Sequence, residues 1–262
     1  MNKIKQVNFK KKIYFFLKKN LGSNQDICLH LDLFNLNNLF RFKSEKELYK
    51  FIYNIFKKKN RSILIPSYSF SWGREKKKKI YILKKSKSKL GFLPEYVRKN
   101  NLGSRTMDPM FSFYVIGKKK RYLNFENNTF GKGSIFEEMY KNNCKIIMFD
   151  TFQFAPTFIH YIEQHFHEKF QKLTYRYLKK FSGYFGSEKK NQKLQIVVFS
   201  RVLAKKKIYD DTKIVFHLKK SNKFKKININ GINIIMVNSK DLFNTGIKGL
   251  KENKNFFYKN VG

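Results

Sequence analysis

The sequence predicts one α/β domain spanning residues 1–262, with a mixed central sheet flanked by helices. Three observations predict it. Short apolar strand-like segments alternate with helical stretches over the first 170 residues, several strand-like segments then follow one another, and no repeat or Gly/Pro/Ser-rich linker divides the chain. Hydrophobic residues are 42% of the chain and aromatics 17%, with 29 Phe and 15 Tyr, which is enough to build a substantial core.

Residues 1–20 read as a basic helix or arm. From Ile27 to Phe34 the residues alternate, with Ile27, Leu29, Leu31 and Leu33 on one side and Cys28, His30 and Asp32 on the other, as in a half-buried strand. Ser44 before Glu45 and Glu47 marks a helix start, and Leu48, Phe51, Ile52 and Ile55 give Glu45–Lys58 an apolar face. Ser62–Ile65 is a short buried strand ending at Pro66, and Ser67–Gly73 is a Ser/aromatic loop. Lys76–Lys89 is a charged excursion read as a hairpin, and Gly91–Arg98 a turn into a helix. Met110–Ile116 is a strand stopped by Gly117. Ser134 and Glu137 form a capping box for a helix to Tyr140. Lys145–Phe149 is a buried strand, and Thr157 is placed to cap a helix running to about Phe170. Residues 194–203, 212–219 and Ile232–Val237 read as strands, and Leu242 onward as helix.

The chain carries 57 Lys+Arg against 18 Asp+Glu, a formal charge of +39. Such a balance first suggests nucleic acid. Only eight of these cations are arginine, however, and the 49 lysines sit in scattered short runs such as Lys10–Lys12, Lys118–Lys120 and Lys205–Lys207. Base readers favour the planar arginine fork, so the pattern reads as a lysine-rich background with no specific nucleic-acid partner. Two cysteines, Cys28 and Cys144, exclude a disulfide scaffold and a four-Cys zinc site, and read as core residues. No apolar run approaches the roughly 18 residues that span a membrane, and the N-terminal apolar patch lacks a cleavage site, so a cytoplasmic protein is expected.

The segment from Asp150 to Glu163 carries the chemistry. A strand ends at Asp150, a loop follows, and His160 falls in the first turn of the next helix with Glu163 three residues on, on the same face. A carboxylate there fixes the imidazole tautomer, which suits a general base. The helix N-terminus opposes the imidazolium. A histidine merely packed on an amphipathic helix is the competing reading of this pair. His167 shares the face, but the set lacks the His-Glu-x-x-His spacing, so no metal is expected.

Several motifs in order resemble the aminoglycoside 3-N-acetyltransferase family. Thr157-Phe-Ile-His160-Tyr-Ile-Glu163 is similar to its Thr-x-x-His-Tyr-x-Glu segment. Cys28-Leu-His30-Leu-Asp32 resembles its first strand, and Leu64-Ile-Pro66-Ser67-Tyr68-Ser-Phe70 its Pro-Thr-aromatic loop. Gly91–Arg98, Arg105–Ser112 with Gly117, Phe130–Ser134 and Asn238–Phe256 follow in the family's order. The resemblance covers nearly the whole chain.

It implies acetyl transfer from acetyl-CoA to a sugar amine, with His160 as base and Glu163 orienting it. By motif position it implies that His30, Asp32, Ser67, Tyr68, Arg105 and Ser112 lie near CoA, with Arg105 pairing a phosphate. The Ser67–Ser71 backbone is expected to supply oxyanion donors. The chain departs from the family at Phe154, where an acid is frequent, at Asp108, where one version has histidine, and at Pro156. Aminoglycosides are polycations, and only 18 acids are present. The acceptor is therefore expected to be an amino sugar, nucleotide-linked and destined for a surface glycan. Three readings compete with it: a true aminoglycoside acetyltransferase, an inactive relative that still binds CoA, and a basic nucleic-acid-binding protein. Oligomerisation is left open.

Overall fold

The computed structural model describes residues 2–70, 72, 80–117, 119–187, 190–202 and 207–260. Its centre is a seven-stranded mixed sheet in the order β10-β11-β6-β1-β2-β5-β4. These strands are β1 (Ile27–Leu31), β2 (Ile63–Pro66), β4 (Ser104–Arg105), β5 (Phe113–Ile116), β6 (Lys145–Phe149), β10 (Lys225–Ile229) and β11 (Ile232–Asn238). β1 runs parallel to both β2 and β6, with Cys28 opposite Leu64 and Ile146, and the outer strands add antiparallel.

Period-two side chains divide the core into two layers. Ile27, Leu29, Ile147, Phe149, Ile234 and Met236 face one side, where α1 (Asn2–Asn20), α2 (Phe34–Phe40), α3 (Glu45–Phe56) and α4 (Phe92–Lys99) pack. Cys28, Ile146, Met148, Ile235 and Val237 face the other side. That side is covered by α5 (Ile135–Lys141), α6 (Ile159–Lys169), α7 (Thr212–Lys220) and α8 (Ser239–Glu252). Cys28 and Cys144 are both buried free thiols in this layer.

Two expected helix starts have the expected chemistry. Ser44 Oγ accepts the Glu47 N–H at 3.2 Å, and Ser134 Oγ accepts the Glu137 N–H at 3.2 Å. The two glutamates reach back to the N–H groups of Lys43 and Gly133, one residue before each cap. Such caps contribute about 1 kcal/mol each.

Four local expectations are corrected. Residues 212–219 are helical in α7, not extended, because Ile214 and Leu218 are buried four apart while Phe216 is 61% exposed. Phe34 opens α2 and does not extend the first strand. Thr157 makes no cap, for α6 starts from Phe158 without a side-chain capping bond. In the expected hairpin at Lys76–Lys89, residues 76–79 lie outside the described residues. Its later part, β3 (Ile80–Tyr81), pairs with β7 (Arg176–Gly186).

β7 itself was not expected. It forms a long antiparallel hairpin with β8 (Asn191–Arg201), and Phe181, Ile196 and Val198 attach this second sheet to the core. Trp72 Nε1 donates to the Tyr184 carbonyl at 3.1 Å, and only a glycine at 183 leaves room for the indole, since a Cβ there would lie 2.6 Å from its ring. A third, two-stranded sheet joins β9 (Lys207–Tyr209) to β12 (Tyr258–Asn260).

Candidate active site

His160 stands one residue into α6, with 28% of its side chain exposed, and its Nδ1 lies 2.9 Å from Glu163 Oε2. Glu163 is fully buried, and Arg176 Nε, at the start of β7, lies 2.9 Å from the same oxygen. Arg176 is fixed in turn by donating to the Phe199 carbonyl at 3.1 Å and to the Tyr258 hydroxyl at 2.7 Å. Burial by itself raises the Glu163 pKa, but Arg176 and His160 outweigh it and hold the carboxyl below its usual range. An ionised Glu163 only accepts, so Nδ1 carries the proton and Nε2 is left with its lone pair free. Burial and the Arg176 charge lower the His160 pKa, against the pull of Glu163. The imidazole is therefore neutral at neutral pH and able to take a proton.

The imidazole opens on a cavity of about 520 Å³, also lined by Phe70, Phe111, Phe130, Tyr209 and Tyr258. Phe130 packs edge-on against the His160 ring at 5.2 Å. Among the described residues no Asp or Glu lines this cavity, and its charged wall residues are Arg176 and Arg201. Phe154 is a buried ring packed against Phe224.

A larger cavity, about 1050 Å³, lies at the carboxyl ends of β1, β2 and β6. The chain leaves β1 for β2 on one side, and β6 later adds on the other, so the crevice sits at a topological switch point where α/β sheets bind ligands. Lys43, Ser44 and Glu45 at the start of α3, and Gly91 and Phe92 at the start of α4, line it. Gly91 adopts a φ of 81°, a left-handed conformation suited to glycine. The two cavities share Gln153 and Ala155, on the loop between β6 and α6.

Of the sequence-predicted residues, the structure joins His160 with Glu163 and puts His30 and Asp32 on the larger cavity. Burial pushes the His30 pKa down to about 4, so this ring is neutral. Ser67, Tyr68, Arg105 and Ser112 line neither of these cavities. Arg105 is buried and committed to the chain: it donates to Ser112 Oγ at 3.0 Å, to the Ser67 carbonyl at 2.8 Å and to the Ser86 carbonyl. Its guanidinium so placed forms a strut between loops. The oxyanion expectation fails for Ser67, Ser69 and Phe70, whose N–H groups go to the Ser112 and Met110 carbonyls, while Ser71 lies outside the described residues. His167 turns away from His160, its Nδ1 accepting the Leu173 N–H at 3.0 Å. Among the described residues no group of three His, Cys, Asp or Glu is arranged to hold a metal ion.

Arg176, Arg201, Tyr258 and Gln153 were not anticipated. One signal was available. In a chain with 49 lysines and eight arginines, Arg61, Arg105 and Arg176 are all buried and each makes several hydrogen bonds that an ammonium cannot match.

Solved structures with the same fold cover almost the whole chain. AAC-VIa bound to sisomicin aligns with a TM-score of 0.72 at 14% identity, over 93% of this chain and 97% of that one. AAC-IIIb in a binary complex with CoASH aligns at 0.70 and 14%, over 93% and 96%. YokD protein from Bacillus subtilis aligns at 0.70 and 14%, over 96% and 95%. A comparison with curated proteins gives no match. The model of the aminoglycoside 3-N-acetyltransferase family matches residues 64–251, the stretch from β2 through α8 that holds His160, Glu163 and Arg176. With that match and this fold, the chain belongs to the aminoglycoside 3-N-acetyltransferase family of acetyltransferases.

Proposed function

We propose that the protein transfers the acetyl group of acetyl-CoA to the amine of an amino sugar, with His160 as general base and Glu163 holding its tautomer. The observation that carries this reading is the His160–Glu163–Arg176 chain, which leaves a neutral Nε2 beside a cavity. His160 takes the proton from the amine as nitrogen attacks the thioester carbonyl. The resulting imidazolium is balanced by Glu163. As the C–S bond breaks, the same ring returns the proton to the departing thiolate, so no covalent enzyme intermediate is needed and the buried Cys28 and Cys144 take no part.

The larger cavity at the switch point is the CoA side, reached by His30, Asp32 and Lys43, and the thioester enters the His160 cavity past Gln153 and Ala155. Relatives captured with CoASH and with sisomicin support an acetyl-CoA donor and a small amine acceptor. The aromatic wall around His160, which carries no acid among the described residues, supports an amino sugar, nucleotide-linked, over a polycationic aminoglycoside. Two free thiols fit a reducing cytoplasm, and among the described residues no helix is long and apolar enough to cross a membrane.

A CoA-release assay over amino sugars, nucleotide-linked amino sugars and aminoglycosides tests this, with the N-acetylated product identified by mass. Turnover that falls about 10²- to 10⁴-fold in His160→Ala, in a protein of unchanged melting temperature, is the expected result. Kanamycin-type turnover with no nucleotide-sugar activity would overturn the acceptor assignment.

A further inference from the structure

Arg176 and Arg201 stand directly opposite each other in the β7–β8 hairpin, and both line the His160 cavity. Like charges in that register repel. Arg176 is neutralised by Glu163 and held by Phe199 and Tyr258. Arg201 is exposed and has no acidic partner among the described residues. Among the described residues no carboxylate lines the cavity to receive it. A cation kept unpaired beside another, facing a site whose reacting group is an amine, calls for an anion on the substrate.

We propose that Arg201 is a specificity-determining residue that anchors an anionic group, phosphate or carboxylate, on the acceptor. It rests on the acetyltransferase reading above and names the substrate class for that site. The aromatic walls hold the sugar, His160 meets its amine, and the Arg201 fork takes two anionic oxygens. A polyamine acceptor meets only like charge.

The test measures CoA release with glucosamine, its 6-phosphate, an amino-sugar uronic acid, a nucleoside-diphosphate amino sugar and kanamycin, for wild type, Arg201→Gln and Arg201→Lys. Binding of each sugar to the CoA-loaded protein is measured calorimetrically in parallel. The three anionic sugars separate a phosphate from a carboxylate and from a diphosphate. KM for the preferred anionic sugar is expected to rise about ten- to hundredfold in Arg201→Gln, with kcat little changed and partial recovery in Arg201→Lys. KM for glucosamine, which carries no anion, rises far less, and the melting temperature of the unliganded Arg201→Gln protein rises, because the cross-strand repulsion is gone. Equal KM for neutral and anionic sugars, or an equal loss for both in Arg201→Gln, overturns the proposal. If no sugar is turned over while Arg201-dependent binding of an anionic sugar persists, the acetyltransferase reading fails and the anion site stands.

Discussion

Arg176 Nε lies 2.9 Å from Glu163 Oε2, the oxygen that also meets His160 Nδ1, so one buried carboxylate oxygen joins the base of α6 to the first residue of β7. Replacing the cation strands that charge. Arg176→Met is expected to cost about 3–5 kcal/mol in denaturant unfolding, because Glu163 is left buried without its partner. The double variant Arg176→Met/Glu163→Gln should recover part of that loss without recovering CoA release.

The pH profile follows from the same chain. The His160 pKa is held below its ordinary 6.5, so the enzyme's acid limb in kcat/KM, once the ionisation of the acceptor amine is divided out, should have its midpoint below pH 6.5. Glu163→Gln removes the group that raises this pKa, so the midpoint should move further acid while the rate drops. Stability moves in the same direction. Unfolded His160 binds a proton near 6.5 where the folded ring does not, so acidification through 6.5 favours unfolding. The contribution of Glu163, whose folded pKa is depressed, is full above 4.5 and fades as pH falls through the lower folded value. Urea midpoints should therefore be nearly level from pH 8 to about 7 and decline from there to pH 4.

Arg105→Ala separates the strut from a phosphate contact. It leaves the Ser86 carbonyl without the Arg105 donor and the Ser67 carbonyl with Ser112 Oγ alone, and should lower stability by about 1–3 kcal/mol, with KM for acetyl-CoA unchanged. A KM rise with normal stability would return Arg105 to the CoA site.

Ala155 lines both cavities. On the proposed route of the thioester a bulky side chain there stands in the way, so Ala155→Trp should lower kcat at least tenfold while CoA binding, measured calorimetrically, is preserved.

The order β1, α3, β2, α4, β5, α5, β6, α6 was legible because these elements carry their own signals: Ser44 and Ser134 cap, Gly117 stops a strand, and Lys145–Phe149 is buried on both faces; α2, β3 and β4, short elements between them, were not. The helix at Thr212–Lys220 was not, since Ile214 and Leu218 lie four apart and satisfy a period of two as well as one of 3.6. β7 escaped because lysines and half-exposed rings blur its alternation, and its stability comes from pairing with β8. In the site, His160 and Glu163 were readable because three residues on a helix means contact. Arg176 and Arg201 were not, because a sheet register, and no sequence spacing, makes them neighbours.

Two cavities with separate linings that touch only at Gln153 and Ala155 also bear on the kinetic pattern. On the proposed assignment the donor reaches the second chamber only with its thioester, which leaves room there for the acceptor, so both substrates are held at once and double-reciprocal plots at varied concentrations of both should intersect rather than run parallel. Each product should then inhibit competitively against the substrate whose chamber it shares.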